Sequence, residues 1–190
     1  MKKLLILAAC ALGMNFSANA QMGIAPVIGL NMSNLSGGGE SGDMKMGLHL
    51  GVLKSFNITD NFAIQPGVLY SMKGTKQTID MGPLGSKDFS FTLSYIEIPI
   101  NAVYTFGDGD GGFMVHAGPY LGYLLSAKLE DVSGTDGMKK IDFGANVGLG
   151  YKLPMGLFFR GQYGIGFGSI YEEGENVTNS NIAISVGYEF

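Results

Sequence analysis

The sequence predicts an all-β chain: an eight-stranded antiparallel up-and-down transmembrane β-barrel. Three observations carry that reading. Large apolar residues recur at every second position over many short segments, the period of a strand. The connections between these segments alternate between short and long. The face opposite the apolar residues is built from glycine, small and polar residues, which suits a narrow lumen.

The first element precedes the barrel. Met1-Lys2-Lys3 is a basic n-region, residues 4–14 are apolar, and Ala18-Asn19-Ala20 is a small-x-small cleavage site before Gln21. This is the anatomy of a signal peptide, and the apolar run is too short to span a bilayer as a helix. Residues 1–20 are therefore read as a cleavable signal and residues 21–190 as one barrel domain. Leu7-Ala8-Ala9-Cys10 also matches a lipobox. The apolar run continues past Cys10, however, which favours simple cleavage over lipidation. Cleavage removes the single cysteine, and disulfide chemistry with it.

Composition narrows the class. Hydrophobic residues make up 46% of the chain, yet no later segment is a continuous apolar run, so the apolar residues are dispersed at a period. Acidic residues (16) outnumber basic ones (12), with no basic patch, and nucleic acid is excluded as a partner.

The strands follow in order. Alternation marks residues 24–32, 44–56, 62–72, 96–106 and 115–125. It continues with Phe143, Ala145, Val147, Leu149 and Tyr151, then Phe159, Tyr163, Ile165 and Phe167, then Ile182, Ile184, Val186, Tyr188 and Phe190. Connections near 57–61, 107–112 and 154–156 are tight; those near 34–43, 76–88, 129–140 and 171–180 are long and polar. Short turns on one side and long loops on the other is the layout of outer-membrane barrels, the short side periplasmic. An even strand number places both termini in the periplasm.

The large residues face outward on this reading, and lipid requires a closed barrel with every backbone group paired. Aromatics fall at the two expected interfaces: Phe56, Phe62, Phe106, Phe113, Tyr188 and Phe190 below, Tyr70, Phe91, Tyr123 and Phe167 above. If the sixth and seventh strands meet across the turn at Met155, Arg160 lies near Gly150 and Gln162 near Gly148, long residues facing glycines. A mostly plugged lumen is expected. Its candidate polar network is Lys73, Glu97, Lys152, Arg160 and Glu189, with Glu97 paired to Lys73 or Arg160. Pro26, Pro66, Pro99 and Pro119 lie within strands, where bulges or local irregularity are expected. The period slips at Tyr95-Ile96, which reads as a bulge in strand four.

Several stretches resemble the PorT-like family of outer-membrane β-barrels. They are Gly29-Leu30-Asn31-Met32-Ser33-Asn34-Leu35, Gln65-Pro66-Gly67-Val68-Leu69-Tyr70-Ser71-Met72-Lys73-Gly74 and Tyr95-Ile96-Glu97-Ile98-Pro99-Ile100. The terminal Gly187-Tyr188-Glu189-Phe190 resembles the aromatic-ended last strand read by the barrel assembly machinery, so Tyr188 and Phe190 are the candidate assembly signal. The resemblance implies the outer membrane as location and outer-membrane lipids, lipopolysaccharide and that machinery as partners. It implies little about role, since fold does not transfer function.

Candidate chemistry is sparse. His49 and His116 both have inward parity; His49 could meet Ser33, but facing the lumen rather than lipid. Asp108-Gly109-Asp110-Gly111 begins like a calcium loop but lacks the later ligands, including the closing glutamate. Glu40, Asp43, Asp80, Asp88, Glu130, Asp131, Asp136, Glu172, Glu173 and Glu175 collect in the long connections and read as solvated loop tips. No catalytic, cofactor or metal site is expected. The function expected is structural, adhesive or interaction-based, with a possible protein partner at the extracellular loops. A narrow passive pore is the alternative, and a lipid-modifying enzyme ranks third.

Overall fold

A computed structural model describes residues 23–37, 43–80, 86–107, 111–129, 132–134, 137–171 and 177–190. The expected signal, Cys10, the Asp108–Asp110 turn and most of the acidic loop residues lie outside them. Eight strands make the wall: β1 (Ile24–Ser36), β2 (Asp43–Lys54), β3 (Phe62–Asp80), β4 (Ser86–Phe106), β5 (Gly112–Leu129), β6 (Ile141–Lys152), β7 (Leu157–Gly166) and β8 (Thr178–Tyr188). Phe56–Asn57 extends the β2 side beyond Ser55, and Val132–Ser133 folds back onto the end of β5.

Every strand pairs antiparallel with its sequence neighbour, and β1 pairs with β8 from Val27↔Gly187 to Ser36↔Thr178, so the sheet closes. Closure leaves no edge along the wall, the condition a sheet must meet in hydrocarbon. The chain ends add to the seam: Phe190 N donates to Ile24 O and Gly23 N to Phe190 O, both at 3.0 Å.

Alternation sorts the faces as expected, except that Phe91, expected in the upper outer girdle, shares the inner parity of Leu93 and Tyr95 and packs against their buried cluster. Val147 and Ile184, each 57% exposed, point outward, while Ala183 and Asn181 between and beside them are buried inside. Ring contacts of Phe106 with Tyr104 (4.8 Å) and Phe113 (6.0 Å), and of Tyr188 with Phe190 (4.8 Å), gather aromatics at the short-turn end.

Three local expectations are corrected or refined. The stretch 76–88 is not mainly loop: β3 and β4 stay paired up to Asp80↔Ser86. Thr78, Ile79 and Phe89 are β-favouring residues, and the continued ladder satisfies the backbone that a loop would leave to water. The slip at Tyr95-Ile96 is not in β4. That strand keeps its alternation, with Leu93, Tyr95, Glu97 and Asn101 all buried on the inner side. The extra residue is Leu125 on β5, because Ser94 pairs Ser126 while Tyr95 pairs Leu124. A large Tyr95 looks misplaced on a small-residue face, but it is needed there to fill one end of the barrel. Pro66, Pro99 and Pro119 interrupt the ladder without moving it, and Pro26 lies opposite Val52 in an unbroken β1–β2 ladder. Pairing resumes at the same register on either side of Gly67/Val68 between β3 and β4, and of Ile100/Asn101 between β4 and β5. A missing N–H removes a bond and leaves spacing intact.

The inner packing has one recurrent form: a large side chain lies on a glycine directly across the ladder. Phe158 pairs Gly187, Tyr120 pairs Gly144, His116 pairs Gly148, Arg160 pairs Gly150 and His49 pairs Gly29. A methyl on Gly187 would sit 2.3 Å from Phe158 Cζ, and Phe158 is fully buried. Gly187→Ala is therefore expected to destabilise the folded barrel by about 1–3 kcal/mol, the usual cost of overpacking. Gly161→Ala, where nothing lies within 4 Å of the added carbon, should leave it unchanged. Urea midpoints of the two refolded variants check both; equal midpoints would refute the packing argument.

Candidate functional site: the filled lumen

The lumen is layered. At the long-connection end Leu35, Leu93, Tyr95, Leu124, Met138 and Ile170 form a buried apolar cluster with Ala127. At the short-turn end Ala25, Val27, Leu53, Val103, Met114 and Phe158 form a second. Polar side chains occupy the space between and below. The inner parity of each strand delivers them, one every second residue.

Just beneath the first cluster Lys73 (β3) forms an ion pair with Glu97 (β4), their side chains 4% and 11% exposed. The Lys73 ammonium also lies 4.5 Å from the Tyr120 ring centroid and 5.8 Å from that of Tyr95, a cation–π arrangement. Asp142 completes this group. Its Oδ2 accepts from Asn179 Nδ2 at 3.0 Å and Tyr120 Oη at 3.3 Å. Asn179 Nδ2 further donates to Tyr95 Oη at 3.3 Å, which ties the polar layer to the apolar cap.

In the middle His49 bridges two strands, with Nδ1 donating to Asn31 Oδ1 at 2.9 Å and Nε2 accepting from the Ser185 hydroxyl at 2.8 Å. Asn31 Nδ2 donates to Ser71 Oγ and Met72 O, both at 3.0 Å. Nearer the short turns Arg160 Nη1 donates to Gln65 Oε1 at 2.6 Å, and Gln65 Nε2 to Ser55 Oγ at 2.8 Å. Lys152 and Glu189 pair at 3.2 Å.

The five charges singled out in the sequence thus fall into separate groups. Lys73 meets Glu97; Lys152 meets Glu189; Arg160 is held by Gln65 and stacks 4.6 Å from the Phe158 ring. Arg160 pairs with Gly150 and Gln162 with Gly148, as the turn at Met155 predicts. Asp142 was missing from the candidate set, although its parity with Gly144 and Asn146 already places it inside. Asn31, Gln65 and Asn179 were missing too, because a neutral amide carries no sequence signal beyond parity. The expected His49–Ser33 contact is replaced by His49–Ser185. Ser33 Oγ instead donates to Gly74 O at 3.1 Å and accepts from Gly74 N at 2.8 Å. Tyr188 and Phe190 stand at the short-turn end of the β1–β8 seam.

Ser185, His49 and Asn31 have the connectivity of a nucleophile, base and orienting amide. The space beside them does not admit a substrate. The cavity they border measures about 30 Å3, room for about two water molecules, and it is enclosed by the sheet rather than open to lipid. The trio is a hydrogen-bonded strut. Among the described residues no group of three or more His, Cys, Asp or Glu is placed to hold a metal ion.

A closed eight-stranded wall, apolar outside and filled with paired polar groups inside, defines an integral outer-membrane β-barrel protein. The chain belongs to the family described as outer membrane protein beta-barrel domain, whose model matches residues 11–172. Its structure is similar to the crystal structure of Neisserial surface protein A (NspA), with a TM-score of 0.60 at 16% identity, over 88% of this chain and 97% of that one. It also matches the attachment invasion locus protein Ail of Yersinia pestis, solved with the heparin analogue sucrose octasulfate, at TM-score 0.49 and 16% identity over 88% and 97% of the two chains. The N-terminal barrel of Pseudomonas aeruginosa OprF gives a TM-score of 0.43 at 15% identity, over 89% and 98%. No curated protein matches the chain by sequence.

The Lys73–Glu97 pair yields a direct test. Glu97→Gln leaves an ammonium buried without its counter-charge, which costs about 3–5 kcal/mol. The variant should lose its heat-resistant folded band on unheated gels at a markedly lower temperature than the parent. Replacing the pair together with the neighbouring acid, Lys73→Met with Glu97→Leu and Asp142→Asn, should recover most of the loss. Unchanged melting of Glu97→Gln would show that the pair is not a stabilising contact.

Proposed function

We propose that this protein is a non-enzymatic outer-membrane barrel whose wall and filled lumen serve as a rigid mount, with a structural, adhesive or interaction role carried by the long connections. The observation that carries this reading is the state of the lumen. An apolar cluster caps the long-connection end, a second apolar cluster and Arg160 fill the lumen towards the short turns, and the luminal cavities measure only about 30 and 60 Å3. Neither a solute stream nor a lipid substrate fits such a core. What remains accessible is the end bearing the long connections.

Several finer statements belong to the same proposal. Residues 1–20 act as a cleaved export signal, which puts both termini and the short turns in the periplasm and the long connections outside the cell. Tyr188 and Phe190 at the end of the chain form the signal read by the barrel assembly machinery. The Gln65–Gly74 and Tyr95–Ile100 stretches support membership of the PorT-like branch. Lipopolysaccharide surrounds the outer half of the wall.

The test separates mount from pore. Residues 21–190, refolded and verified by heat-shift gel, should show no steady discrete conductance in a planar bilayer. Discrete openings would replace this proposal with the narrow pore. Variants shortened within 38–42 and 172–176 should fold normally but lose surface attachment when displayed on cells. Retention of every wild-type attachment phenotype would overturn the interaction role.

A further inference from the structure

Two cavities lie one below the other inside the barrel, and one side chain borders both. The upper cavity, about 30 Å3, is bordered by His49, Glu97, Asn101, Asn181 and Ser185. The lower, about 60 Å3, lies at the short-turn mouth beside Asn61, Thr105, Lys152 and Glu189. Arg160 lines the two. Its guanidinium is anchored across the barrel by the bond from Nη1 to Gln65 Oε1, and Gln65 is anchored in turn to Ser55. Its stem rests against Gly150: a carbon added there would lie 3.0 Å from Arg160 Cγ. The side chain therefore sits as a bar between the two spaces.

The upper cavity has a specific chemistry. Asn101 Oδ1, Asn181 Oδ1 and Arg160 Nε have no hydrogen-bond partner among the described residues, and these three residues are 3%, 6% and 6% exposed. All three residues line the upper cavity, and buried acceptors and donors left unmet in a low-dielectric interior are costly. Water is the ligand that meets both kinds at once, since it donates twice and accepts. A cavity needs roughly 10–15 Å3 to hold one, so this one holds about two.

We propose that the mid-lumen cavity is a binding site for about two structural waters held among Asn101, Asn181 and Arg160, and that Arg160 is the septum between this site and the short-turn mouth. The site is blind. Above it stand the Lys73–Glu97 pair and then the apolar cluster around Leu93 and Tyr95. Shortening Arg160 joins the two cavities into one cleft open at the short-turn end, and the cleft still stops below the cap.

Cysteine accessibility tests the septum. Ser185 borders the upper cavity, so Ser185→Cys in the full-length chain, folded in outer-membrane vesicles, reports entry of a small charged methanethiosulfonate. The thiol should be protected with Arg160 present and with Arg160→Met, which keeps the length of the bar. It should be modified with Arg160→Ala, while that variant remains electrically silent in a planar bilayer. Equal modification in the parent and in Arg160→Ala, or protection in both, would overturn the septum. Discrete conductance from Arg160→Ala would overturn the blind end. The water site has its own readout in the unaltered protein, so it stays testable if Arg160→Ala fails to fold. Water-edited NMR should transfer magnetisation to the side-chain amides of Asn101 and Asn181, and its absence at both would overturn bound water.

Discussion

A barrel of eight strands leaves an interior about one side chain deep, and that dimension governs the rest of the molecule. Several of the large inner residues sit where the residue across the ladder has no side chain. Phe158 over Gly187, Tyr120 over Gly144 and His116 over Gly148 each follow this pattern. The chain's 31 glycines are therefore not a mark of looseness. Those on the inner face are the complement of the lumen's bulky residues, and they fix which large residue can sit at which level.

Filling a lumen with polar residues raises an electrostatic demand, because a buried charge without a partner is far costlier than a buried apolar group. The protein meets it by local pairing at separate levels. Lys73 has Glu97 and two aromatic faces; Arg160 has Gln65 and the Phe158 ring; Lys152 has Glu189. Neutral amides join adjacent strands through the core, as Asn31 does between His49 and Ser71. Such cross-strand ties supplement the backbone ladder, which prolines interrupt between β3, β4 and β5.

Much of this was legible in the sequence because parity is a geometric property of strands. Period two assigned the faces, alternating connection lengths assigned the two ends, and the tight turn at Met155 set the Arg160–Gly150 register before any coordinates. Three things were not legible. The bulge falls at Leu125 of β5 and not at Tyr95-Ile96 of β4, because Tyr95 keeps the inner parity and fills one end of the lumen. The long β3–β4 ribbon was read as loop, because polar alternation outside lipid resembles a loop in composition. Partner choice inside the lumen was also hidden: Glu97 reaches Lys73 and not Arg160 because of depth along the barrel, which parity does not encode. His49 meets Ser185 for a related reason: β8 closes on β1, a contact between residues 136 apart in sequence that local pattern cannot suggest.

The same economy separates stability from role. Wall, caps and luminal pairs are coupled to one another, so a change at Glu97 or Gly187 is felt first in the stability of the fold. Surface loops on such a scaffold tolerate change that its core does not. A mount built this way places selection for binding and selection for folding on different residues. The consequence is that the interior, however polar and however rich in histidine and carboxylate, is the wrong place to look for a partner. The Ser185–His49–Asn31 strut shows why: the groups that chemistry would need are present and connected, but the space beside them, about 30 Å3, is too small for anything much larger than water.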